Sequence, residues 1–275
     1  MHLEAISTLD DPRVAAYRNV RDADLRAGQG GFLAEGRLNV KRLIQAPRFR
    51  ARSVFATRAA VEALTPTLAA LDEETPIYCA EAALLKRVVG YNLHRGCLAE
   101  GDRGVCSSPD ALLSGLSTER PVTVLVLEDL TNPDNVGGVF RNALAFGVDA
   151  VLLTQRCADP LYRKAIRVSM GASFAIDFTR GVDAAALHAA LETAGFESVA
   201  LATGPDARPV SRWLGLPSRL ALWCGSEGEG LSSAALALAR ERIEIPMVDR
   251  IDSLNVATAS GIALHQVRTL REASA

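Results

Sequence analysis

From Pro121 onward the chain alternates continuous apolar runs with stretches in which apolar residues recur at helical spacing. The runs Val122–Leu127, Ala150–Leu153, Phe174–Ile176, Ser198–Leu201 and Leu220–Cys224 hold almost no polar position, the mark of strands in a parallel sheet covered on both faces. Helical patterns separate them over Val139–Phe146, Arg163–Met170, Ala184–Ala194 and Ser233–Arg242, and a long helix over Asn255–Arg271 follows a loop. This alternation predicts a doubly wound α/β domain, whose ligands sit beyond the carboxyl ends of its strands.

Ahead of Pro121 the elements are shorter. Helices are expected over Asp11–Arg26, Arg37–Gln45, Ala59–Leu71 and Glu81–Val89, with strands over Phe32–Glu35, Ser53–Ala56, Ile77–Cys79 and Cys97–Ala99. Turn-forming residues crowd the stretch from Gly101 to Pro121. The chain therefore divides into a small α/β domain (1–105), a linker (106–120) and a larger α/β domain (121–275).

Composition narrows the class. Of 275 residues, 49% are hydrophobic and 23% charged, enough apolar material for two cores and too ordered a mixture for a disordered tail. Cys79, Cys97, Cys106, Cys157 and Cys224 are scattered without C-x-x-C or zinc spacing, which points to reduced thiols and no metal. No apolar stretch is long enough for a membrane span and the first residues lack a secretory core, so a cytoplasmic protein is expected. The net charge is −2, yet residues 1–58 carry eleven Lys and Arg, ten of them Arg, against six acids. That local excess suits either phosphate binding or a solvated helix face.

Chemistry concentrates in three loops after strand ends. The first, Glu128 to Arg141, turns at Asn132-Pro133-Asp134 and enters a helix near Asn135, for which Asn135 or Asp134 is a ready cap. Arg141, six residues further, is not explained by capping; a guanidinium beside a strand-end crevice can hold phosphate or stabilise an oxyanion. The second, Cys224 to Ser232, places Gly225, Gly228 and Gly230 where a backbone can approach a ligand, but their spacing is G-x-x-G-x-G, not that of a dinucleotide site. In the third, Ile245 to Gly261, Ser253 or Asn255 either caps the following helix or faces a ligand. The small side chains of Val256–Gly261 there allow close packing on another backbone or a second subunit. His2, His94, His188 and His265 stand alone, which disfavours hydrolytic and metal chemistry.

Taken in order, N-P-D-N-V-G-G-V-F-R-N-A-L-A-F-G (132–147), L-W-C-G-S-E-G-E-G-L-S (222–232) and I-P-M-V-D-R-I-D-S-L-N-V-A-T-A-S-G-I (245–262) closely resemble the three signature motifs of the SpoU (TrmH) family of RNA ribose methyltransferases, of the SPOUT class. The resemblance covers about residues 120–272. Residues 32–43 also resemble the start of the ribosomal-protein-like α/β module that often precedes it. The resemblance implies transfer of a methyl group from S-adenosylmethionine to a ribose 2′-hydroxyl of RNA, rRNA ahead of tRNA. It further implies a C-terminal domain threaded into a trefoil knot, a rare exception to the avoidance of knots, and a homodimer with its active site near the interface.

By the same resemblance, Gly225, Ile245 and Leu254, with Thr203 and Gly204, hold the cofactor. Asn135, Arg141, Glu227, Ser253 and Asn255 surround methyl transfer, and Arg141 is the main catalytic candidate. A guanidinium stays protonated in proteins, so Arg141 is expected to stabilise the developing alkoxide rather than to abstract its proton. Asp249 stands where the family commonly has glycine, and Ala257 where serine is frequent. The competing readings are a catalytically silent RNA-binding relative and a dinucleotide-dependent oxidoreductase.

Overall fold

The computed structural model describes residues 2–18, 30–91, 93, 96–248 and 253–273. The chain forms two compact units, one of residues 1–105 with 161–175 and one of residues 106–160 with 176–275. Arg21, Arg26 and the Asp249 departure lie outside the described residues.

In the first unit, strands β1 (His2–Ala5), β2 (Gly31–Glu35), β3 (Arg50–Ala56), β4 (Pro76–Cys79) and β5 (Cys97–Asp102) form a sheet of order β1-β4-β3-β5-β2. Helices α1 (Arg37–Gln45), α2 (Arg58–Leu68) and α3 (Ala82–Val89) connect them. The expected helix over Asp11–Arg26 is, as far as it is described, one stretch of 3-10 helix over Pro12–Tyr17, interrupted at Val14. Tyr17 inserts beneath it and its hydroxyl meets that of Ser53 at 2.6 Å. The edge strand β1 was not foreseen; its burial is slight, so it carries no apolar alternation.

The second unit is built on a seven-stranded, wholly parallel sheet. Its strands are β6 (Val122–Leu127), β7 (Ala150–Thr154), β8 (Asp177–Val182), β9 (Glu197–Leu201), β10 (Arg208–Pro209), β11 (Arg219–Cys224) and β12 (Glu241–Glu244), in the order β10-β12-β9-β11-β6-β7-β8. Every residue of β6 and β7 is buried, as continuous apolar runs require. Helices α4 (Pro109–Ser114), α5 (Pro133–Phe146), α7 (Ala184–Thr193), α8 (Ser233–Leu238) and α9 (Val256–Ala273) belong to this unit, whereas α6 (Arg163–Val168) belongs to the first. Within the expected linker, Ser108 caps α4 and Leu113 is buried. None of the helices among the described residues is long and apolar enough to cross a membrane.

Two further expected elements differ. Phe174–Ile176 is not a strand: Ala172–Phe174 is a 3-10 turn and β8 starts at Asp177. The Phe174 ring is drawn away to pack on Phe32 and Phe49, with centroids 5.5 and 5.7 Å apart. The expected helix over Ser233–Arg242 stops at Leu238, and Glu241–Glu244 joins the sheet beside β9. Pairing with β9 there outweighs the helical propensity of Glu241 and Arg242.

Candidate active site

The site lies at the carboxyl ends of β6, β9, β11 and β12. Leaving β6, the chain turns at Asp129, whose φ of +57° is strained for a residue with a side chain. Thr154 holds that turn: its Oγ1 accepts from the Asp129 backbone N–H at 3.0 Å and donates to Asp129 Oδ1 at 2.9 Å. Helix α5 then starts earlier than expected. Asn132, rather than Asp134 or Asn135, is its cap, accepting from the Asp134 N–H at 2.9 Å, with Pro133 in the first turn. Asn135 is thereby released from capping and sits buried inside the helix.

Its side chain is used elsewhere. Asn255 Nδ2 donates to Asn135 Oδ1 at 2.9 Å and to Glu227 Oε1 at 2.6 Å, while Asn255 Oδ1 accepts from the backbone N–H of Ala257 at 3.0 Å and of Thr258 at 3.3 Å. One amide therefore caps α9 and ties together the three loops. The small residues after Asn255 are used within the chain. A Cβ on Gly138 of α5 would lie 2.7 Å from the Ala257 Cβ, and one on Gly261 would lie 3.1 Å from Asn142 Nδ2. Asn142 donates to the Ala257 carbonyl, locking α5 on α9.

Beside this trio opens a cavity of about 360 Å³, lined by Thr203, Gly225, Glu227, Ile245, Ser253 and Leu254 among the candidates. Gly204 lies outside the lining, and so does Arg141. Arg141 is exposed on α5 and has no hydrogen-bond or ion-pair partner among the described residues; the single chain does not bring it to the cavity. The glycines of the second loop serve the loop itself. Ser226 and Gly230 exchange both backbone hydrogen bonds at 3.1 Å, and a Cβ on Gly225 would fall 2.2 Å from the Gly230 carbonyl carbon. Gly228 and Gly230 adopt φ of +101° and +70°.

Lining residues that were not among the candidates include Glu229, Glu244, Met247 and Leu236. Glu244 ends β12, the strand concealed in a helical pattern. Glu128 was also missed. Buried at the end of β6, its carboxylate accepts from the Ser232 N–H at 2.9 Å and so fixes the end of the cavity loop. The Cys224 thiol beside Gly225 is pushed up to about 12 by burial, so it forms a neutral wall rather than a nucleophile. No group of His, Cys, Asp and Glu among the described residues is arranged to hold a metal ion.

The model of the SpoU rRNA Methylase family matches residues 122–265. An uncharacterized tRNA/rRNA methyltransferase of Mycobacterium tuberculosis is 37% identical over 263 residues, covering 94% of this chain and 88% of that protein. Among solved structures, the AdoMet-bound rRNA methyltransferase from Sinorhizobium meliloti superposes with a TM-score of 0.82 at 21% identity, over 97% of this chain and 98% of that one. A structure described as an RNA 2′-O ribose methyltransferase superposes with a TM-score of 0.77 at 23% identity, over 98% of this chain and 100% of its own. Sequence and fold agree along nearly the whole length, and the chain belongs to the SpoU rRNA methylase family.

Proposed function

We propose that this chain transfers a methyl group from S-adenosylmethionine to a ribose 2′-hydroxyl of RNA, in rRNA ahead of tRNA. The observation that carries the reading is the Asn255 amide joining Asn135 to Glu227 beside the cavity of the second and third loops. The cavity fits the cofactor chemically: Leu231, Ile245 and Leu254 offer apolar walls for a flat purine, and its lining includes Glu227, Glu229 and Glu244 but no Lys or Arg among the described residues. Bound there, S-adenosylmethionine supplies an electrophilic methyl group on a cationic sulfur, a charge that such a lining favours.

The chain's own groups then have distinct tasks. Asn255 fixes the Glu227 carboxylate and the Asn135 amide relative to the cavity mouth, which reduces the reorganisation that the reaction requires. Arg141 remains cationic and stabilises the alkoxide developing on the ribose, an effect worth about 3 kcal/mol at comparable sites. The proton leaves to water or to the neighbouring phosphate. Arg141 reaches this centre in a homodimer. It shares its face of α5 with Leu144, which is 38% exposed, and α9 presents Ile262 at 40%. The return of α9 onto α5 after the third loop, with β11 between β9 and β6, supports the trefoil knot. Residues 1–105 are assigned to RNA binding, and their presence is the ground for ranking rRNA first.

The test is methyl transfer from labelled S-adenosylmethionine to total RNA, followed by digestion to nucleosides. The expected product is 2′-O-methylribose. Base methylation alone would overturn the ribose assignment, and cofactor binding without any transfer would favour the silent RNA-binding relative.

A further inference from the structure

The loop from Cys224 to Ser232, which lines the cavity, closes on itself through Ser226 and Gly230. That pair fixes the shape of the loop but not its direction. Rotation about hinges at the two loop ends leaves internal hydrogen bonds unchanged, so direction depends on where those ends are tied.

Both ends are tied to one residue of the neighbouring strand. At the entry, the Glu128 backbone N–H donates to the Cys224 carbonyl at 2.9 Å, one step beyond the paired residues Cys224 and Leu127. At the exit, the Glu128 carboxylate accepts from the Ser232 backbone N–H at 2.9 Å. Ser232 in turn caps α8, its Oγ accepting from the Ala235 N–H at 3.1 Å. Leu231, the residue before it, is buried in the core of the second unit and forms part of the cavity wall. Holding Ser232 therefore holds that wall.

Glu128 is 6% exposed, and Ser232 is the hydrogen-bond partner of its side chain among the described residues. Burying a carboxylate costs free energy that a leucine of similar size avoids, so packing alone does not account for an acid at this place. The next residue, Asp129, turns the chain into the first loop, which carries Asn135. Glu128 is thus a tie between the first and second loops that is made without Asn255. We infer that Glu128 is a positioning residue for the cofactor: its clasp on Ser232 holds the Leu231 side of the cavity in the binding arrangement. The inference rests on the placement of S-adenosylmethionine in this cavity. Because coupling is reciprocal, a clasp that favours the cofactor is itself tightened when the cofactor binds.

The test is calorimetric titration of S-adenosylmethionine into the full chain and into E128L, E128Q and G225A. Leucine removes the acceptor, whereas glutamine keeps a carbonyl oxygen that accepts from the Ser232 N–H. The expected dissociation constant rises about tenfold in E128L and stays within about twofold of the parent in E128Q. Tenfold corresponds to about 1.4 kcal/mol, within the cost of leaving one buried donor unsatisfied. Parent-like binding by E128L, or equal weakening in E128Q and E128L, overturns the clasp. G225A distorts the same loop by another route. Weakened binding in G225A beside an unaltered E128L removes this inference alone. No binding by the parent, or an unaltered G225A, removes the cavity placement and the inference together. Should E128L not fold, hydrogen exchange of the Ser232 amide in the parent decides. Its expected rate falls up to tenfold at saturating cofactor, and an unchanged rate overturns the clasp.

Discussion

Asn255 shows how one side chain can be both structural and functional. Its carbonyl oxygen caps α9 while its two amide hydrogens hold Asn135 and Glu227. Asn255→Ala is expected to cost about 1 kcal/mol of stability through the lost cap and at least tenfold in methyl transfer. Asn255→Ser keeps a cap acceptor but is too short to hold Asn135 and Glu227. Thermal unfolding should then remain near that of the parent while activity falls as in the alanine variant, a comparison that separates the two roles. For Arg141, Arg141→Lys keeps the charge and loses the planar fork, so a drop in kcat with unchanged cofactor affinity by calorimetry is the expected outcome. The buried thiols give a pH prediction. Cys97 and Cys224 are each pushed by burial from 9.0 to about 12. Their contribution to stability is complete below pH 9 and declines between pH 9 and 12, where the unfolded thiols ionise and the folded ones do not. Urea midpoints at pH 8 and 10 should differ less in a C97A/C224A variant than in the parent.

At the scale of elements, glycines set the distances. Gly225→Ala forces the loop from Ser226 to Gly230 apart, because the new methyl group meets backbone that cannot swing aside. Cofactor affinity measured by calorimetry should weaken at least tenfold with little loss of secondary structure by circular dichroism. Gly138→Ala strikes the Ala257 Cβ between two packed helices, and overpacking of this kind costs about 1–3 kcal/mol, readable in urea unfolding. The sequence made the strand runs of the second unit legible, since buried parallel strands are apolar throughout: Val122–Leu127 appears with the same bounds in the structure. It concealed β12, because Glu241–Glu244 has one buried residue and derives its strand character from pairing with β9. It also concealed the cap of α5. Asn132 and Asn135 are chemically identical, and only the turn at Asp129 decides which of them precedes the helix.

Over the whole molecule, the balance of −2 is the sum of a first unit at +5 and a second at −7. Much of the N-terminal arginine excess noted in residues 1–58 is spent within the fold: Arg13 and Arg18 pair with carboxylates beside β1, and Arg52 bridges Glu100 and Asp102. The proposed homodimer belongs to this scale. Sedimentation equilibrium should give twice the chain mass, and Leu144→Lys together with Ile262→Lys should return it to one, with loss of methyl transfer if Arg141 acts across the interface. The amino-acid sequence by itself determined the α/β class, the three loops and the family, because apolar runs and loop residues act over a few neighbours. The joining of Asn135, Glu227 and Asn255, the use of glycine to close a loop on itself, and the transfer of 161–175 to the first unit were decided by tertiary structure. Each depends on contacts between residues far apart in the chain, and such contacts exist only once the sheet order has brought their elements side by side.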